Sequence, residues 1–447
     1  MHGRRKLVPG ALIALAAMLA LLAGCEADDE VVAEDDEPEA DEPDEDAPDD
    51  EPTDEPDDDP DDDTDDEPTD DEPIRIGGTL GLTGAFAQPS SQFQVAYEYW
   101  EDRVNEDGGI LGRPVEMVIY DDESEVETAQ DLYQRLMFED EVDLLLGPFA
   151  TGPGGAVITA VAGNDRVLWN DGFIGLELYI EHEDNMINFL TYNELDYIQP
   201  LFDMLESLPE DERPERLGLA TVQEPFQLMV RDGLEGEGGG VIEMAEELGI
   251  ELVMDEEYPS GPADVGPMIS EAQSADVEVF LNIGFPDDGT LFASTAHEEG
   301  FEPDVFCVCG SQVTVLPVWD DLGEAGEHVM GPTTGWPESD DFAELDELYD
   351  VVQEELGTES IASTSIQGLT VLQVLEQAIE ETGTVDEWEL YDHVLDNTFE
   401  TASGTLEFPD RTWPEDMSML LQWQDGRNEA VWPEERATTE PIIPMDR

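Results

Sequence analysis

The sequence predicts an α/β protein built as two similar halves, each a parallel sheet with helices on both faces. Three observations predict it. Short apolar runs alternate with longer segments whose apolar residues recur at spacings of three to four. The short runs are apolar at consecutive residues, the pattern of strands covered on both faces. The alternation restarts after residue 170 and runs a second time. The chain has 447 residues, 40% hydrophobic and 8% aromatic, enough for cores in about two or three domains.

The first strand runs over 74–82. A helix over 91–106 follows, with Phe93, Tyr97, Trp100 and Val104 on one face, and Gly108-Gly109 stops it. The strand at 115–120 ends in Asp121-Asp122. The helix at 128–138 turns Leu132 and Leu136 inward. The strand at 142–146 is apolar except for Asp143; a helix at 154–162 and a strand at 167–170 complete the first half. In the second half, strands fall at 187–191, 217–222, 251–256, 277–283 and 305–308, with helices at 197–205, 226–249, 265–274 and 291–299. Three helices with little strand between them follow, at 342–356, 363–381 and 387–395. Strands at 419–424 and 429–431, joined by Asp425-Gly426-Arg427, read as a hairpin. No repeat of solenoid period is present.

The charge balance is extreme: 15 Lys+Arg against 115 Asp+Glu, a net charge of −100. This excludes nucleic acid as a partner, because phosphate binding needs a basic surface. An anionic membrane surface is an equally poor partner for the folded body. Lys6 is the sole lysine; every other cation is Arg. Such a chain repels itself at low ionic strength. At molar salt the Debye length falls to about 3 Å and the repulsion nearly vanishes, so the composition reads as adapted to high salt.

Arg4, Arg5 and Lys6 precede an apolar stretch over 7–23, and Leu22-Ala23-Gly24-Cys25 ends it. Residues 1–25 therefore read as a secretory signal peptide with a lipobox, Cys25 carrying the lipid as the mature N-terminus. The Arg pair leaves the twin-arginine and general export routes both open. Residues 26–73 hold 31 Asp/Glu, eight Pro and no Lys, Arg or His, which reads as a disordered, extended tether. At ~3.1 Å per residue it reaches on the order of 150 Å. The expected location is the extracytoplasmic face of the cell membrane, held by the lipid. No other segment approaches the roughly 20 apolar residues of a membrane span. Cys307 and Cys309 read as small core residues, since no further soft ligands lie near for a metal.

Several motifs together resemble one family. They are Ile76-Gly77-Gly78-Thr79-Leu80-Gly81-Leu82-Thr83-Gly84, Gly108-Gly109-Ile110-Leu111-Gly112-Arg113-Pro114-Val115 and Tyr120-Asp121-Asp122. Val142-Asp143-Leu144-Leu145-Leu146-Gly147-Pro148, Gly331-Pro332-Thr333-Thr334-Gly335-Trp336, and Gln422-Trp423-Gln424-Asp425-Gly426-Arg427 with Val431-Trp432-Pro433 continue the series. In order and at compatible spacing, from about residue 74 to 433, they resemble the branched-chain amino acid and amide type of periplasmic solute-binding protein. The resemblance implies two Rossmann-like lobes of parallel sheet joined by three crossovers. Lobe one would be 74–192 with 335–405, and lobe two 193–334 with 406–447. It also implies an amino acid, amide or related small carboxylate as ligand, delivered to a permease and its ATPase.

Open α/β sheets bind ligands outside the carboxyl ends of their strands, and the resemblance points to the same loops: 83–88, 149–152, 171–174, 223–226, 285–288 and 310–312. The candidate ligand-binding residues are Thr83, Phe86, Gln88, Phe149, Ala150, Thr151, Gly152, Gly172, Phe173, Gln223, Phe285, Ser311 and Trp336. The segment Phe149-Ala150-Thr151-Gly152-Pro153 follows a buried strand and opens a helix, where free N–H groups and the helix dipole favour a carboxylate. A plain helix cap is the competing reading of Thr151. Ile174 stands near a position where the family holds its ligand with Thr, and Gly310 or Ser311 where it often has an acid for the α-ammonium. Asp171 or Asp287 would have to replace that acid, though each reads as an exposed surface residue. Phe86, Phe173, Phe285 and Trp336 suit a larger or flatter pocket.

No G-x-S-x-G elbow, H-E-x-x-H pair or P-loop is present, and the five histidines are scattered. The expectation is a binding protein with no catalytic residue, cofactor or metal. A ligand sensor of the same fold, signalling to a membrane receptor, is the alternative.

Overall fold

A computed structural model describes residues 72–190, 192–234, 238–309, 319, 321–334, 343–357, 361–408 and 418–444. Five strands come first: β1 (Ile74–Leu80), β2 (Val115–Asp121), β3 (Leu144–Leu146), β4 (Leu168–Asn170) and β5 (Met186–Asn188). They pair in the order β2-β1-β3-β4-β5, all parallel. Parallel neighbours need crossovers. These are α1 (Ala87–Glu106), α2 (Val126–Phe138), α3 (Thr151–Gly163) and α4 (Leu176–His182). The central β3 and β4 are buried at every residue, whereas edge strand β2 is mostly half-buried.

The second sheet follows α5 (Gln199–Ser207). Its strands are β6 (Arg216–Val222), β7 (Glu251–Tyr258), β8 (Val279–Ile283), β9 (Val305–Val308) and β10 (Met330–Thr334). The helices between them are α6 (Pro225–Asp232), α7 (Val241–Leu248), α8 (Gly266–Ser274) and α9 (Pro286–Glu299). The chain then returns to the first body as α10 (Ala343–Leu356), α11 (Ser363–Thr382), α12 (Glu387–Asp396) and the hairpin β11 (Thr398–Thr401) with β12 (Gly404–Glu407). Leu348, Leu369, Leu372 and Phe399 of this return share one core with Phe93, Trp100 and Trp169. Gly368 lets α11 lie close on α1; a Cβ there would stand 3.0 Å from the Phe93 ring. Finally β13 (Ser418–Gln424) and β14 (Arg427–Trp432) join the second sheet, whose order is β14-β13-β10-β9-β8-β6-β7. The chain thus passes between the two bodies three times, after β5, β10 and β12.

Three features differ from the sequence reading. The helix expected over 226–249 is two helices, α6 and α7. Gly233 (φ +74°) and Gly240 (φ +106°) break it, in left-handed conformations that favour glycine. The second sheet is not wholly parallel: the hairpin β13–β14, expected from the sequence, joins it with β13 antiparallel to β10. The hairpin turns at Asp425 (φ +54°) and Gly426 (φ +80°), the left-handed pair that a two-residue hairpin requires. The β11–β12 hairpin and α4 were not legible at all.

Gly109 closes the turn from α1 to β2. Its φ is +76°, and a Cβ would sit 1.9 Å from the Arg113 carbonyl oxygen. Gly109→Ala is therefore expected to cost about 2 kcal/mol or more of unfolding free energy. Denaturant titration at fixed salt checks this, and a loss under about 0.5 kcal/mol would contradict it.

Candidate functional site: a cavity at the carboxyl ends of the strands

A βαβ unit starts its helix just past the carboxyl end of a strand. Here the loops at that edge of both sheets enclose a cavity of about 630 Å³. Six helices start on its wall: α1 after Phe86, α2 after Glu125, α3 after Ala150, α6 after Glu224, α9 after Phe285, and α11, which supplies Thr364 and Gln367. Among the described wall residues there is no Lys, Arg or His. Its acids are Glu125 and Glu127, both exposed, and Glu224, which accepts a hydrogen bond from the Ser260 hydroxyl. The first turns of α1, α3, α6 and α11 contain no acid.

The entrance to α3 is held in an uncommon conformation. Ala150 has φ +75° and ψ 146°, a region costing a non-glycine residue on the order of 1–3 kcal/mol. The Ala150 N–H donates to the Gly172 carbonyl at 3.1 Å, and the Thr151 hydroxyl donates to the Ile174 carbonyl. These bonds draw the start of α3 against the 172–174 segment. The close approach excludes side chains: a Cβ on Gly172 would lie 2.5 Å from the Pro148 carbonyl oxygen. Beneath, Asn170 organises the same segment. Its Oδ1 accepts from the Gly172 and Phe173 N–H groups at 3.3 and 3.2 Å, and its Nδ2 donates to the Phe173 carbonyl at 2.7 Å.

Aromatic rings line two sides. Phe86 lies 5.7 Å from Phe149 and 5.5 Å from Phe285, so this cluster joins loops of both bodies. Opposite the first sheet's loops, Tyr192 stacks on Tyr197 at 5.2 Å, and Tyr197 meets Phe226 edge-on at 5.4 Å. Phe285 is fixed from behind: the buried Asp288 accepts its N–H at 3.0 Å and the Tyr258 hydroxyl at 3.2 Å.

Of the residues singled out from the sequence, Phe86, Phe149, Ala150, Thr151, Gly152, Gly172, Phe173 and Phe285 lie on the wall. Thr83, Gln88 and Gln223 are exposed and do not. Thr83 instead bonds both carboxylate oxygens of Asp121, through its N–H and its hydroxyl, and Gln223 donates to Glu257 at 3.2 Å. Ser311, Trp336 and Cys25 lie outside the described residues. Sequence reasoning missed Phe226 and Gln227, in or beside a loop it had marked, and Tyr192 and Tyr197, which follow β5 where it had marked no loop. It also missed Thr364 and Gln367, which start a helix that no strand precedes. Asp287 is exposed as expected, but Asp171 is not: it is fully buried, and Tyr97 donates to its Oδ2 at 2.6 Å. Cys307 and Cys309 are free and buried.

Two α/β bodies joined by three passes of the chain, with a cavity between the carboxyl ends of their strands, define a protein that binds a small solute. A profile of the periplasmic binding protein family matches residues 73–427, and the chain belongs to that family. It is 21% identical over 386 residues to Leu/Ile/Val-binding protein homolog 7 of Brucella melitensis, spanning 83% of this chain and 94% of that one. A leucine-binding protein of Thermotoga maritima superposes with a TM-score of 0.68 at 18% identity, covering 80% of this chain and 97% of its own. A solute-binding protein of an ABC transporter from R. palustris, solved with benzoate, gives 0.69 at 14% identity, covering 84% and 100%. The family and these relatives are binding proteins, not enzymes. Among the described residues no helix is long and apolar enough to cross a membrane.

Two carboxyls behind the wall titrate unusually. Burial pushes Asp171 up to about 7, against the pull of the Tyr97 hydrogen bond. Burial likewise pushes Glu194, which accepts from the Leu176 N–H at 3.1 Å, up to about 7. Unfolded carboxyls titrate near pH ~4, so between about pH 4 and 7 these two groups hold more protons in the folded chain than in the unfolded one. The stability these groups contribute is complete below about pH 4 and is lost as pH rises through about 7. Asp171→Asn keeps an acceptor for Tyr97 and cannot ionise. In molar salt its unfolding free energy is expected to fall less steeply than the parent's between about pH 5 and 8. Equal slopes would remove Asp171 from this account.

Proposed function

We propose that this chain is the extracytoplasmic binding component of an ATP-driven importer, taking an amino acid, amide or related small carboxylate between its lobes. The observation that carries this reading is that four of the six helix starts on the wall, those of α1, α3, α6 and α11, have no acid in the first turn, on a wall without a basic side chain. In a chain with 115 Asp+Glu, such starts are available to an anionic group through N–H donors and the helix dipole. The aromatic rings on both sides favour, within that class, acids with an apolar or aromatic body.

The remaining parts of the reading rest on sequence. Residues 1–25 are the signal peptide, Cys25 carries the lipid, and the acidic stretch 26–73 is the spacer from the membrane. Lobe one takes 74–192 with 335–405, and lobe two 193–334 with 406–447. In support, Leu345 and Phe399 belong to the first sheet's core, and Leu420 and Val431 to the second's; Leu406 and Phe408 also pack in the first core, so the last crossover lies beyond residue 408 rather than at 405.

A thermal-shift screen of the purified chain in molar salt tests the ligand class. The panel holds leucine, valine, threonine, phenylalanine, tyrosine, glutamate, short amides, benzoate, 4-hydroxybenzoate and simple amines. A ligand at a hundredfold its dissociation constant adds about 2.7 kcal/mol, a clear rise in midpoint. An acid with an apolar or aromatic body is expected to give it, and Thr151→Ala to weaken that binding about tenfold. A shift from amines alone would overturn the reading.

The charge leads to a second measurement. Without ligand, the unfolding midpoint is expected to climb between about 0.1 M and molar potassium chloride, as screening removes the self-repulsion of a −100 chain. A midpoint independent of salt would contradict adaptation to high salt.

A further inference from the structure

The start of α11 brings a polar side chain to the cavity that the carboxylate at α3 does not use. We propose that Thr364 marks a second subsite, which takes an oxygen-bearing group of the ligand, a hydroxyl or carbonyl, separate from its carboxylate. The inference rests on the reading that the cavity binds a small carboxylate.

Three observations carry it. Thr364 lies on the cavity wall, is 5% exposed, and its Oγ1 is buried without a hydrogen-bond partner. Its neighbours on the same helix are satisfied. Ser365 donates to the backbone and side-chain oxygens of Gln92 at 3.1 and 2.8 Å. Thr370 donates back to the Ile366 carbonyl at 2.7 Å, the usual resort of a helical threonine. Thr364, second in a helix that begins at Ser363, has no helical carbonyl a turn below to do the same. The helix start adds to this: its N-cap is Ala362, with no side chain to cap it, and no acid stands in its first turn. A hydroxyl and the positive end of a 20-residue helix together favour an acceptor oxygen.

The chemistry follows from the asymmetry of buried hydrogen bonds. An unpaired buried hydroxyl is unfavourable for the free protein, and a ligand oxygen that reaches it removes that cost. A site built to pair such a group discriminates strongly against the analogue without it. Thr364 then selects among acids of similar shape, while the start of α3 holds the feature they share.

The test uses pairs of probes that differ by one hydroxyl: phenylalanine and tyrosine, benzoate and 4-hydroxybenzoate, valine and threonine. With the full chain in molar salt, calorimetry is expected to show the hydroxylated member of one pair binding at least about tenfold tighter. Thr364→Val keeps the shape and removes the hydroxyl. It is expected to erase that preference while leaving the other member within about twofold of its original affinity. No preference in any pair, or a preference that survives Thr364→Val, overturns the subsite. Should no probe bind, the carboxylate reading fails separately, and the ligand-free midpoints decide. A midpoint raised by about 1–3 °C in Thr364→Val supports a hydroxyl kept unpaired for a ligand; an equal or lower midpoint overturns it.

Discussion

In a parallel sheet every helix that follows a strand starts at the same edge, outside the strands' carboxyl ends. That constraint fixes the place of the cavity and much of its electrostatics. Where the two sheets' edges meet, six helix starts converge with no basic side chain among the described wall residues. The field they offer is a property of the backbone. It therefore survives a composition in which nearly every ionisable side chain is an acid. On the proposed reading, what the composition must still do is keep acids away from the starts that receive the ligand. α2 and α9 carry Glu127, Asp287 and Asp288 in their first turns, whereas α1, α3, α6 and α11 carry none.

Besides the wall acids Glu125, Glu127 and Glu224, other acids stand behind the wall and act as fasteners. Asp122 accepts from the Thr79 hydroxyl at 2.8 Å and the Ser124 N–H at 3.0 Å. Ser124 in turn accepts from the Phe86 N–H at 3.1 Å. Asp288 does the same for Phe285, and Glu194 for the first residue of α4. Burial raises the carboxyls of Asp122, Asp288 and Glu194. Their charge is thus the part least favoured in the folded protein, and their oxygens are the part that is used. The loops keep their shape through hydrogen bonds to these buried side chains, and the rings of Phe86 and Phe285 are presented as a result.

The sheets were legible where burial is one-sided in its demands. The triple leucine of β3 and the Val-Phe-Cys-Val of β9 admit little but a covered strand. The α3 entrance was legible because Thr151 and Gly152 follow such a strand directly. Asn170 was not: it ends an apolar strand, and only the folded loop shows its side chain meeting three backbone groups of residues 172 and 173. Asp171 was misread for the same reason, since nothing local reports that Tyr97, 74 residues earlier, faces it. The break between α6 and α7 had a signal, the run Gly238-Gly239-Gly240, that apolar periodicity overrode. Strands β11 and β12, four residues each, are too short to declare a period. Thr364 reaches the wall only because the chain returns to the first body, a long-range fact.

The same return bears on how the cavity responds to a ligand. Phe86 and Phe149 from the first body share a core cluster with Val222, Phe280 and Phe285 from the second. One aromatic pair contributes about 0.5–1.5 kcal/mol beyond its buried area, so this contact alone is a modest tie. Three chain passages hold the bodies together, yet passages of that kind permit hinge motion. A ligand alters the balance between arrangements only by its differential affinity for them. Groups reaching only the start of α3 touch one body and leave that balance unchanged. Those that also reach Phe226 or Phe285 touch both, and their contacts exist only while the bodies stand together. On the proposed reading, the polar anchor at α3 and the rings of the second body divide the work: the first selects an anion, and the second couples its presence to the relation between the lobes.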